Sequence, residues 1–102
     1  FWSPPMVDIN AFYNKTHVFI TIKNNDEEPI IIHYIIVEGK RFNVSNYLYP
    51  GALVTYVVRE TNKPDYIVLY MGFKNHDFTR FVVTKEGYSF IVRGLIIYVG
   101  ER

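Results

Sequence analysis

Two β-rich runs, His17–Lys23 and Ile30–Val37, flank a polar break and dominate the hydrophobic pattern of the chain. In the first run, valine and isoleucine alternate with polar or aromatic residues, which is the period-two pattern of a half-buried strand. The second run is apolar at nearly every position and is typical of a strand covered on both faces. The break, Asn24–Pro29, is rich in residues that favour turns. We therefore predict two neighbouring strands at the centre of an antiparallel domain.

Short alternating runs separated by turn residues continue along the rest of the chain. They predict about seven to nine strands and no helix. This pattern indicates an all-β fold, an antiparallel β-sandwich of immunoglobulin-like architecture, in one domain over residues 1–102. Besides the two runs above, the predicted strands are Met6–Tyr13, Arg41–Val44, Ala52–Glu60, Tyr66–Phe73, Phe78–Lys85, Tyr88–Val92 and Leu95–Val99.

Alternation also predicts which side chains form the core. A slip of one residue would move a whole apolar set to the solvent side, so the pattern fixes the inward positions of each strand. The predicted inward set is Val18, Ile20, Ile22, Ile32, Tyr34, Ile36, Val54, Tyr56, Val58, Ile67, Leu69 and Val82.

Two of the strands carry more apolar side chains than one core requires. The second side of Ile30–Val37 and of Leu95–Val99 must be covered by a flanking segment of the chain or by another chain. The N-terminal segment folding over this set is the alternative to an interface. The predicted protein–protein interface consists of Ile31, His33, Ile35, Val37, Ile96 and Tyr98.

Composition narrows the function classes. The 102 residues are 49% hydrophobic and 18% aromatic, which excludes a disordered chain. The net charge is +1, so no basic field recruits nucleic acid. There is no cysteine, which excludes disulfides, thiolate metal sites and a cysteine nucleophile. The immunoglobulin-like prediction therefore concerns architecture without the disulfide.

Catalytic and metal-binding motifs are absent from the sequence. His17, His33 and His76 do not have a metal-ligand spacing, and we expect His17 and His76 to be solvated and His33 to be a hydrogen-bonded strand residue. The acidic run Asp26–Glu28 lacks the alternating oxygen ligands of an EF-hand loop. No serine lies in a nucleophile motif. We predict a protein that is not an enzyme and that has no cofactor and no metal.

Two sequons are present. Asn14-Lys15-Thr16 and Asn43-Val44-Ser45 fit the N-glycosylation pattern, and both fall near predicted turns. Asn14 and Asn43 are therefore candidate glycosylation sites, which favours an extracytoplasmic location.

Four stretches together resemble the β-sandwich half of archaeal type IV pilin-like proteins. They are Phe19–Ile32 (FITIKNNDEEPIII), Val37–Gly39 (VEG), Leu48–Ala52 (LYPGA) and Asp65–Leu69 (DYIVL). The superfamily includes archaellins, adhesion pilins and the archaellum accessory proteins FlaF and FlaG. The diagnostic N-terminal hydrophobic helix of the family is not in this sequence. Phe1–Pro5 (FWSPP) would suit the exit of such a helix, and an ordinary chain boundary is the alternative.

The resemblance implies a membrane-anchored stator component between the cell membrane and the surface layer. Such a component would hold the motility motor by binding the surface-layer protein or a partner stator subunit, as a homo- or hetero-oligomer. The compact size of the chain favours this over a filament subunit. The alternative is a filament or virion structural subunit, and a β-barrel enzyme or ligand carrier is the third class.

Overall fold

The computed structural model describes residues 1–87 and 92–100, and this part of the chain is all-β, as predicted. It contains no helix, so no helix among these residues could span a membrane. Three of the predicted strands have the predicted bounds. The eight strands are β1 Val7–Tyr13, β2 His17–Asn24, β3 Ile30–Val37, β4 Lys40–Leu48, β5 Leu53–Arg59, β6 Tyr66–Phe73, β7 His76–Glu86 and β8 Leu95–Val99.

The strands form a single mixed sheet that is nearly closed into a barrel, in the order β4-β3-β6-β7-β1-β2-β5-β8. The prediction of two purely antiparallel sheets is wrong in this respect, because β1 pairs with β7 and β5 pairs with β8 in parallel. The remaining five pairings are antiparallel. The all-β class is confirmed, whereas the immunoglobulin-like sandwich is not.

Strand β7 joins the two halves of the sheet. Its first part, from His76 to Val83, pairs with β6 through a two-residue hairpin. Its last part, Thr84–Glu86, leaves β6 and pairs with β1. One continuous strand therefore connects the half β4-β3-β6 to the half β1-β2-β5-β8.

Two turns lie at the positions that the turn-forming residues of the sequence predict. Pro50-Gly51 closes a turn in which the Ala52 N–H donates to the Tyr49 carbonyl at 2.9 Å, and Gly51 has φ +80°. Proline before a residue with positive φ is the signature of a type II turn. In the β6–β7 hairpin, Lys74 and Asn75 both have positive φ, which matches the right-handed twist of the flanking strands.

Two predicted elements differ from the structure. The short strand Arg41–Val44 is part of the longer β4, which continues through the predicted loop to Leu48. It does so with an irregularity at Ser45, where φ is +47°. The predicted strand Tyr88–Val92 falls almost entirely on residues 88–91, which lie outside the described part of the chain.

The core confirms most of the predicted inward residues. Nine of the twelve are fully or almost fully buried, and Val82 is half-buried and packs against them. The prediction is wrong for Tyr34 and Ile36, which are half-buried on the other side of β3. The nine are Val18, Ile20, Ile22, Ile32, Val54, Tyr56, Val58, Ile67 and Leu69.

A β-bulge at His33 is the reason why Tyr34 and Ile36 face away from the core. On the β6 side, Ile32 pairs with Met71 and Tyr34 pairs with the adjacent Tyr70, so His33 is the extra residue. A bulge inserts one unpaired residue and shifts the facing of everything that follows it. As a result Ile35, instead of Ile36, points into the core.

The loop between β2 and β3 is held by two polar side chains. The buried Asn24 donates from Nδ2 to the carbonyls of Glu28 and Leu48, both at 2.9 Å. The Asp26 carboxylate accepts from the Met6 N–H at 3.0 Å and from the N–H groups of Glu27 and Glu28. The bond from Met6 is the main cause that lowers the pKa of Asp26 below its ordinary value of 3.8.

Candidate docking surface

The side of β3, β6 and β7 that faces away from the core is apolar and aromatic. The pairing registers align these side chains in rows across the strands, such as Ile36–Val68–Phe81. We call this surface the outer face and define it by Ile31, Tyr34, Ile36, Tyr66, Val68, Tyr70, Phe81 and Val83.

The outer face is most exposed at the end where β6 begins. Phe81 and Val83 are 64% and 72% exposed, and the Phe81 ring contacts Tyr66 edge-on with centroids 5.5 Å apart. An antiparallel sheet that faces water normally carries polar residues on that side. This end of the outer face is therefore an unusual apolar patch on the described surface.

A stacked row of side chains crosses the middle of the outer face. The Arg41 guanidinium lies 3.8 Å from the centroid of the Tyr34 ring, and Tyr34 stacks on Tyr70 with centroids 4.9 Å apart. Partial removal of the Tyr70 hydroxyl from water raises its pKa, and the negative charge of Asp77 adds to this effect. The row gives the face a rigid aromatic centre with one fixed cation at its edge.

The bulge places His33 above β6, next to the first residues of β7. His33 Nε2 and Asp77 Oδ1 are 3.0 Å apart, which agrees with the prediction of a hydrogen-bonded strand histidine. The pair passes over Gly72, where an added Cβ would lie 2.8 Å from Asp77 Oδ1 and 2.9 Å from His33 Nε2. Only glycine at this position leaves room for the contact.

The structure brings together only part of the predicted interface. Ile31 and His33 lie on the side of the outer face, but Ile35 and Val37 are fully buried in the core, so their expected exposure is wrong. The cause is the reversal of facing after the bulge.

Strand β8 forms a second exposed apolar set. Ile96 is 45% and Tyr98 62% exposed, in agreement with their predicted solvent-facing position, and Leu95 is exposed too. Strands β4 and β8 are the two ends of the nearly closed sheet, and Asn43 of β4 and Tyr98 of β8 line the same cleft. In the described part of the chain, two of the six residues of the predicted interface are buried in the core, and the six therefore do not form one surface.

Trp2, the large aromatic residue of the N-terminal segment, lies at the β6–β7 hairpin and does not cover the outer face. The Trp2 indole N–H donates to the Phe73 carbonyl at 3.0 Å, and its ring contacts His76 and Phe78. These contacts fix Trp2 at the β6–β7 hairpin end.

Sequence reasoning missed the β6 and β7 members of the outer face. A signal was available, since the hairpin turn at Lys74-Asn75 fixes the register that aligns Tyr70 with Thr79 and Val68 with Phe81. The histidine bulge carried no such signal.

The histidines and carboxylates of the described residues form no group of three that could hold a metal ion. His17 is half-buried and lies beside the Thr16 hydroxyl, 2.8 Å from its ring nitrogen, and the exposed His76 Nδ1 lies 3.1 Å from the Lys74 carbonyl. The three imidazoles therefore have separate local partners.

The two sequons differ in their surroundings. Asn14 lies in the β1–β2 turn, where its Oδ1 accepts from the Thr16 N–H, the Thr16 hydroxyl and the His17 N–H. Asn43 is exposed on strand β4, and its Oδ1 accepts from Arg41 Nε at 3.0 Å. A glycan on Asn43 would stand next to the stacked row, whereas one on Asn14 would project from a turn.

Neither a family model nor a curated protein matches the sequence.

Proposed function

We propose that this chain is a non-enzymatic cell-envelope binding module, of the archaellum stator kind, that docks on the surface-layer protein or a partner stator subunit through the outer face. The observation that supports docking is the exposed apolar patch around Phe81 and Val83. Monomeric proteins rarely expose contiguous apolar patches beyond a few hundred Å², and larger patches mark interaction sites. The extracytoplasmic location and the membrane anchor belong to the same proposal and rest on the family resemblance and the sequons.

The strand order supports the sandwich component of the proposal. In an immunoglobulin-like domain, strands A, B and E are in one sheet and strands C, F and G in the other. Here β1, β2 and β5 are neighbours, and β3, β6 and β7 are neighbours, with β4 as an added edge strand. The outer face would then be the exposed side of the second sheet.

The fixed groups of the outer face suit protein docking. Binding hot spots are enriched in tyrosine and arginine at well-packed central positions. The stacked row of Arg41, Tyr34 and Tyr70 provides such a centre, because its side chains hold one another in place before a partner arrives. Little side-chain entropy would be lost there on binding.

The test is co-sedimentation of the purified chain with surface layers from the organism that encodes it, and with its candidate stator partner. We expect Phe81→Asp to weaken binding at least about thirtyfold, since a buried unpaired charge at an aromatic hot spot costs about 2 kcal/mol or more. The matched control is Leu95→Asp, which adds the same charge at an apolar side chain of similar exposure, 63%, on β8 and outside the outer face. Equal binding by both variants and the parent chain would contradict the docking proposal.

A filament or virion subunit is the second candidate, and strand β8 favours it. Leu95–Val99 contains no charged residue, proline or bulge, although these are the usual protections of a terminal strand. Concentration-dependent assembly in sedimentation velocity that is abolished by Ile96→Lys and unaffected by Phe81→Asp would favour this candidate over the stator role.

A further inference from the structure

An open cleft of about 390 Å³ lies where the outer face meets the β6–β7 hairpin. Its floor is Gly72, and its walls come from the β2–β3 loop, from β3 and β4, and from the hairpin turn. Ligand sites typically have volumes of about 300–1,000 Å³ and a few convergent polar groups. The cleft is at the lower end of this range, which suits a ligand of one or two rings.

One wall of the cleft is an exposed aromatic ring. Tyr47 is 62% exposed and stacks on Tyr49 at 6.4 Å between centroids, with the ring planes 24° apart. The contact with Tyr49 restricts the Tyr47 ring. An aromatic face held in this way offers a flat apolar surface to a ligand that enters the cleft.

The opposite wall carries hydrogen-bonding groups, two of which hold each other in place. Asp77 and His33 hold each other at 3.0 Å across the Gly72 floor, and the Asn75 amide belongs to the tight hairpin turn. The Asp77 carboxylate is engaged by His33 through Oδ1 and also accepts from the Tyr70 hydroxyl, and its two oxygens have further lone pairs for a ligand. Polar groups held before binding contribute more to affinity because less ordering is required.

The charges of the cleft exclude several ligand classes. The carboxylates of Glu28 and Asp77 oppose the Lys74 ammonium and two imidazoles, so neither a free anion nor a free cation meets a field of one sign. The described residues offer no metal-binding group of three side chains. The density of donors and acceptors is too high for an apolar ligand, because burying them unpaired costs free energy.

We propose that this cleft is a carbohydrate site that takes a neutral sugar, with the C–H face of the pyranose ring on Tyr47 and its vicinal hydroxyls on Asp77, Asn75 and Glu28. A sugar combines one apolar ring face with a rim of hydroxyls that both donate and accept, which matches the two unlike walls. The proposal goes beyond the docking function and does not depend on it.

The experiment is a titration of the isotope-labelled chain, followed by amide NMR shifts, with the methyl glycosides of glucose, mannose, galactose and N-acetylglucosamine at millimolar concentrations. We expect at least one glycoside to shift the amides of residues 28–33 and 72–77 selectively. Tyr47→Ala removes the stacking surface and should weaken that glycoside about tenfold. Asp77→Asn keeps the shape but removes the charged acceptor and should weaken it by a similar factor.

Tyr98→Ala is the matched control, because Tyr98 has the same 62% exposure and lies on β8, outside the cleft. It should bind the glycoside as the parent chain does. Parallel titrations with inorganic phosphate and with calcium chloride test for an ion site. Shifts caused by these ions alone, shifts spread over the whole surface, or no shift with any glycoside would each overturn the proposal. Phe81→Asp should retain glycoside binding, so a failed docking proposal leaves this result unaffected.

Discussion

Strands β2 and β3 are neighbours in sequence and have the same length, yet they use their apolar residues differently. From Val18 to Asn24, β2 buries every second side chain without interruption. Strand β3 buries Ile30 and Ile32, then skips over the bulge at His33 and buries Ile35 and Val37. In β2 the polar residues of the alternation specify which side chains face the core, whereas β3, which is apolar at nearly every position, permits either facing.

The difference has consequences for the surface of each half. Behind β2 the aligned residues of β1 are polar or charged at Asp8 beside Lys23 and at Asn10 beside Thr21, and the exception is the half-buried Phe12 beside Phe19. Behind β3 the aligned residues of β6 and β7 are largely aromatic and aliphatic. The half of the sheet that contains β3, whose sequence does not specify its facing, is thus also the half that offers a docking surface.

Deleting one residue from each strand should give the largest difference between them. Deletion of Thr21 shifts the rest of β2 by one position and turns Ile22 to solvent, so we expect no cooperative unfolding transition. Deletion of His33 removes the bulge residue and leaves Ile32 and Ile35 facing inward. That variant should fold, with a free energy of unfolding lower by about 1–3 kcal/mol.

Thermal and urea unfolding followed by circular dichroism would compare the two deletions. A folded Thr21 deletion, or a His33 deletion as damaging as the Thr21 deletion, would show that the bulge does not set the facing of β3.

Truncation of two adjacent isoleucines also tests the facing of β3, with a smaller expected change in stability than the deletions. Ile35 is fully buried and Ile36 is half-buried on the outer face. We expect Ile35→Ala to cost about 2–5 kcal/mol, as for other core truncations, and Ile36→Ala to cost less than about 1 kcal/mol. Urea midpoints measure both, and the reverse order of the two costs would restore the facing that simple alternation predicts.

The loop that joins β2 to β3 should make the smallest contribution to the stability of the fold. This contribution depends on pH. The pKa of Asp26 is lowered in the folded chain, so its stabilising effect is complete above the ordinary value of 3.8 and is lost as the pH falls through the lower folded value. Asp26→Asn should therefore be less stable than the parent chain at neutral pH, with the difference vanishing in strong acid. Unfolding midpoints across this range provide the measurement, and a pH-independent difference would contradict the assignment.

The sequence predicted the parts of the fold that local rules control. The alternation of β2 and β5 predicted six buried side chains correctly, and the turn residues located Pro50-Gly51 and the β6–β7 hairpin. The strand order could not be predicted, because the parallel contacts of β7 with β1 and of β8 with β5 are encoded by no local pattern.

The candidate sites were predictable only in part, for a related reason. His33 was expected to be hydrogen-bonded, but its partner Asp77 is 44 residues away in the chain. The pair depends on a bulge in β3 and a glycine in β6 whose combined effect appears only when the strands are side by side. The exposed aromatic end formed by Tyr66 and Phe81 likewise depends on register and not on either strand alone.

The parallel pairing of β5 with β8 also determines how the domain would respond to mechanical tension. Strands β1, β5 and β8 run in the same direction, since β2 is antiparallel to both β1 and β5, and β8 is parallel to β5. A pull on Val7 away from Val99 would load the ladders from β1 to β8 along the strand axes. The five aligned residue pairs of β5 and β8 would then have to slide past each other together instead of opening one at a time. Such a domain resists a force along its strands far better than a force that peels one strand away from its neighbour.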